Sequence, residues 1–131
     1  MRCFAASSLA VVVIMLATVA CGTEPAATPT LTTLRDDIFR PSCGNAACHG
    51  GSNPAAGLDL VTDPHAALVG VDSISDPGLK RVAAGDPNNS VLLLILEGPV
   101  GASRQMPPGV TLPAADVEAV RAWISAGAAN D

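Results

Sequence analysis

Apolar positions along this chain cluster at a few places and are sparse between them. Leu9 to Ala20 is an unbroken run without charge, preceded by Met1-Arg2 and closed by the small residues Ala17-Thr18-Val19-Ala20. A membrane span needs ~20 apolar residues, so this shorter run reads as a secretory signal over 1–20. Gly22 to Thr30 carries two prolines and no large apolar residue, and it predicts a flexible tether over 21–31 ahead of one domain over 32–131. Within that domain Thr33 followed by Asp36 predicts a helix opening. Leu34 and Ile38 share a face, and Pro41 is expected to end the helix. Asp63-Pro64 starts a short turn carrying Ala67, Leu68 and Val69 inward. Ser90 precedes the apolar run from Val91 to Leu96, and a capped helix is the better reading of it. The last element is the most regular: Pro113 suits a first turn, Val117, Val120 and Ile124 recur at helical spacing beside Trp123, and Gly127 stops it. Cys43 to Gly57 and Gly98 to Gly109 read as loops. Val71 to Gly85 reads as polar and irregular, with a turn at Pro77-Gly78 and nothing that carries chemistry. The class is all-α, with three to four short helices joined by long loops.

Composition sharpens this picture. The chain has 131 residues and is 49% apolar, yet Phe4, Phe39 and Trp123 are its only aromatics. A domain this small with so few large side chains has a meagre core of its own. Twelve acidic against seven basic residues leave a net charge of -5. Nucleic acid is a poor partner for such a chain, because phosphate neutralisation needs clustered Lys and Arg. A partner with a basic surface is expected instead. Of the four cysteines, Cys3 belongs to the signal, and Cys21 directly follows its small residues. That junction resembles a bacterial lipobox, which implies that Cys21 is lipidated and holds the domain to a membrane in the periplasm or cell envelope. Cys43 and Cys48 then remain in an oxidising compartment.

Cys43-Gly44-Asn45-Ala46-Ala47-Cys48-His49 sets an imidazole directly after the second of two thiols. Covalent haem attachment uses that order, with two thioethers to the ring and the adjacent His on the iron, although the common spacing between the thiols is two residues and here it is four. Three other readings stand beside it. Cys43 and Cys48 form a disulfide with His49 incidental; a zinc site recruits further ligands, of which His65 is the obvious nitrogen; or the thiols form a redox centre, without the usual spacing or strand-helix setting. A second iron ligand is expected on a distant loop. Met106, in Arg104-Gln105-Met106-Pro107-Pro108-Gly109, is a soft thioether held by two prolines, a poor place for core filler. His65 competes with it for that role, and as an exposed residue at a helix start it has an ordinary alternative explanation.

Taken together, these residues resemble the monohaem c-type cytochromes, and in particular small exported bacterial ones. The resemblance runs from about Leu34 to Ala128. It rests on Ile38-Phe39-Arg40-Pro41-Ser42-Cys43, Cys48-His49-Gly50-Gly51, Gly57-Leu58-Asp59-Leu60, Gly85-Asp86-Pro87 with Ser90, Met106-Pro107-Pro108-Gly109, and Arg121-Ala122-Trp123-Ile124 with Gly127-Ala128. It implies a cytochrome c-like fold in which the first and last helices pack across each other and loops wrap one covalently bound haem c. Cys43 and Cys48 are then the thioether positions, and His49 and Met106 the iron ligands. The implied function is electron transfer to redox partner proteins rather than an enzyme's turnover. The rival readings are a haem enzyme or gas sensor whose sixth ligand dissociates, and a non-haem envelope module holding a Cys43-Cys48 disulfide.

Overall fold

The computed structural model describes residues 27–101 and 104–131. The signal over 1–20 and the lipidation position Cys21 lie outside the described residues. The described chain is helical, with three isolated bridges (Val69 with Val82, Asp72 with Lys80, Lys80 with Ser90) in place of a sheet. It is all-α.

The first helix, α1, spans 31–42 and has three sections: α-helical over Leu31–Leu34, π-helical over Arg35–Phe39, and α-helical over Arg40–Ser42. Its cap is Thr30, whose side chain accepts from the Thr33 N–H, and not Thr33 as the sequence suggests. Asp36 is occupied elsewhere, with its carboxylate paired to Arg35 and Arg40. Nor does Pro41 end the helix. Proline lacks an N–H and crowds the carbonyl one turn back. The turn ahead of it is widened, with Arg40 N–H donating to Arg35 O, and the helix continues to Ser42.

Helix α2 is short, Pro64–Leu68, and is capped as expected by the Asp63 carboxylate on the Ala66 N–H. It drives Leu68 into full burial, while Ala67 and Val69 stay half-buried. The segment after it is irregular, with its turn at Pro77-Gly78 and a positive φ of 97° at Gly78. It nonetheless contributes the fully buried Val82.

Helix α3 covers Val91–Glu97. Ser90 occupies its cap position without a side-chain cap bond. Its buried hydroxyl instead donates to Asp86 O at 2.8 Å and accepts from Ala83 N–H at 2.9 Å, tying the preceding loop to the helix start. Helix α4, Ala114–Ser125, buries Val120, Trp123 and Ile124 on one stripe, with Pro113 just ahead of it as the cap. It ends on a paired reverse turn: Gly127, at φ 107°, donates to Ile124 O, and Ala128 N–H donates to Trp123 O.

Helices α1 and α4 are in contact and share one hydrophobic cluster with α3, to which Leu34, Phe39, Leu93, Trp123 and Ile124 belong. The last residues close the seam. Asp131 accepts from Leu31 N–H and Thr32 N–H, and the Trp123 indole N–H donates to Ala129 O.

Candidate functional site

Cys43 ends α1, its N–H donating to Phe39 O. From there the backbone closes a loop on itself, with His49 N–H donating to Cys43 O at 3.0 Å. Asn45 organises the interior: its carbonyl accepts from Cys48 and Gly50, and its side-chain oxygen from Ala47. The four residues between the thiols are therefore taken up by one compact turn. Glycine is required on either side of it. A Cβ on Gly44 would stand 2.8 Å from both Arg40 O and a methyl of Val61, and one on Gly50 would strike the Gly44 carbonyl. Downstream, Leu60 N–H donates to His49 O, and Asp59 nucleates the next turn through its carboxylate. The N–H groups of Thr62 and Val61 hold that carboxyl below the usual range.

Both thiols are free. Cys43 is half-buried and Cys48 exposed. Burial, with a smaller contribution from Cys48, pushes the Cys43 thiol up to about 11, so it is a neutral S–H at physiological pH.

Two adjoining cavities open beside this loop, of about 400 Å³ and 210 Å³. Their walls are almost wholly apolar, and the larger one falls in the size range of small-molecule and cofactor sites (about 300–1,000 Å³). Cys43 and Cys48 line the smaller one. His49 and Met106 line both. The His49 side chain makes no hydrogen bond among the described residues, and its Nδ1 is sealed from solvent without a partner. The His49 ring borders both cavities. A buried, unpartnered imidazole nitrogen is rare enough to need an explanation. Met106 is fixed by its main chain, its N–H donating to Ile95 O at 2.9 Å, and its side chain packs against the core.

His65 is placed differently. It lines neither cavity, and its Nε2 lies 3.1 Å from Ala128 O, tying α2 to the chain end. No three His, Cys, Asp or Glu side chains converge among the described residues, so the zinc reading finds no donor set. The irregular segment from Val71 to Gly85 also reaches the site: Ser73, Ile74, Ser75 and Arg81 line the larger cavity. So do Leu92 and Ile95 of α3. Their apolar spacing marks a helix but cannot say what the helix faces. None of the described helices is long and apolar enough to cross a membrane. No protein-family model, curated protein or solved structure matches this chain.

Proposed function

We propose that the chain is an exported, membrane-tethered monohaem c-type cytochrome that carries electrons. The observation that carries this reading is the convergence of Cys43, Cys48, His49 and Met106, from two distant segments, on one pair of adjoining apolar cavities. The contact of α1 with α4 and the loop-rich helical architecture are compatible with a cytochrome c-like fold. The residues suit the group: two free thiols at one end, an imidazole with no competing hydrogen bond, and a thioether held by the backbone of α3.

In this reading Cys43 and Cys48 would hold the ring through thioethers, and His49 and Met106 would ligate its iron. A bound haem supplies a one-electron couple at its iron. The protein's part would be to hold the iron between His49 and Met106, surround the ring with Leu58, Leu68 and Leu92, and exclude water. Thioether and imidazole ligation in an apolar setting favours a higher reduction potential than two imidazoles give. The acidic surface favours a basic partner, with association slowed by salt. Lipid on Cys21 and a tether ending ahead of Thr30, which caps α1, would hold the domain near membrane-bound redox partners.

A visible spectrum with pyridine haemochrome analysis, on protein matured in a host able to attach haem, tests the reading. One covalent haem per chain is expected, lost when Cys43 and Cys48 are both replaced by Ser. A colourless parent protein from that host would overturn it.

A further inference from the structure

The described cations fall into two groups. Arg35 and Arg40 pair with Asp36, Lys80 pairs with Asp72, and Arg121 pairs with Glu97 and Glu118. Arg81 and Arg104 pair with no carboxylate among the described residues, and both line the larger cavity. In a chain with twelve acidic and seven basic residues a cation finds a carboxylate easily. That the only two without one border the same apolar chamber calls for a cause.

Arg81 is held in place from behind. It donates to Ala67 O at 2.9 Å and to Ala56 O at 2.8 Å, which leaves the rest of its guanidinium fork for another acceptor. Arg104 is exposed and makes no hydrogen bond among the described residues. Ser73 and Ser75 border the same chamber, but their hydroxyls already engage each other and Asp76, so apart from the His49 imidazole the guanidiniums are the free side-chain donors among the described lining residues.

We infer that the occupant of the larger cavity is an acid whose carboxylates are received by Arg81 and Arg104. A planar guanidinium is the side chain best matched to a carboxylate, through paired N–H donors. The thiols line only the smaller cavity and the two arginines only the larger, so one occupant spanning both is oriented end to end. Resting on the haem reading above, this places the vinyl edge of the ring at Cys43 and Cys48 and its two propionates at Arg81 and Arg104. Arg104 then fixes orientation and tunes the iron by charge, without touching the metal.

The test uses the matured protein with haem carrying ¹³C at its carboxylates, observed by NMR in the reduced state. In Arg104→Gln one carboxylate resonance moves and the midpoint potential falls, because removing a nearby positive charge favours the oxidised iron. Arg104→Lys recovers most of the potential. Arg121→Gln, which removes a cation bordering neither cavity, leaves the carboxylate resonances in place. Arg81→Gln also costs the backbone contacts at Ala56 and Ala67, so Arg104 carries the decision. Carboxylate resonances unchanged between parent and Arg104→Gln would overturn the inference while leaving the haem reading intact. A parent that takes up no haem overturns the haem reading, and the inference with it.

Discussion

At the scale of single residues, the two histidines are separated by their hydrogen bonds. His65 is bonded to Ala128 O, whereas His49 has no partner and borders both cavities with Met106. Replacing Met106 by Ala is therefore expected to let carbon monoxide bind the reduced protein rapidly at neutral pH, while His65→Ala behaves as the parent. The reverse pattern in a carbon monoxide titration would assign the second axial position to His65. Asp59 gives a pH-dependent prediction. Its folded-state pKa is lowered by N–H donors from Thr62 and Val61, so its stabilisation is present above the unfolded value (about 3.9) and is lost as pH falls through the folded one. Asp59→Ala should be less stable than the parent at neutral pH, and the two denaturation midpoints should converge in acid. A difference that persists at the lowest pH would point to packing instead.

At the scale of elements, α4 is legible in sequence because Val120, Trp123 and Ile124, with the half-buried Val117, report one inward stripe and Gly127 a reversal, all signals within a few residues of each other. The start of α1 is harder to read. Thr30 and Thr33 are equivalent as local cap signals, and what fixes the start includes Asp131, a hundred residues away along the chain. Ser90 misleads for a similar reason, its hydroxyl being drawn to Asp86 and Ala83 rather than to its own helix. The candidate site divides the same way. Cys43, Cys48, His49 and Met106 stand out as candidates by residue type and order, and the structure brings them to the same pair of cavities. Arg81 and Ser73 do not, since they reach the cavity through an irregular segment with no periodicity to show which way it faces. The turn between the thiols can be tested directly. Gly50→Ala places a methyl against the Gly44 carbonyl, which cannot swing aside as a side chain could. A loss of about 2 kcal/mol or more in chemical denaturation is expected, with reduced haem incorporation. Parent-like stability would show that the loop relaxes freely.

At the scale of the whole molecule, the described residues border adjoining apolar cavities of about 400 Å³ and 210 Å³, and the only aromatics in their core are Phe39 and Trp123. Apolar walls left without contacting atoms forfeit dispersion and hydrophobic stabilisation. If the chain carries haem as proposed, the variant with Cys43 and Cys48 replaced by Ser should melt broadly, bind a dye that reports exposed apolar surface, and lose near-ultraviolet circular dichroism. A sharp cooperative transition in that variant would mean that the core suffices alone. The clasp at Asp131 has a mechanical consequence. Its three hydrogen bonds to Leu31 and Thr32 sit where the tether enters the fold, and none of these residues borders either cavity. On the proposed reading, a pull from an anchored leader would meet this clasp first, at residues that border neither cavity.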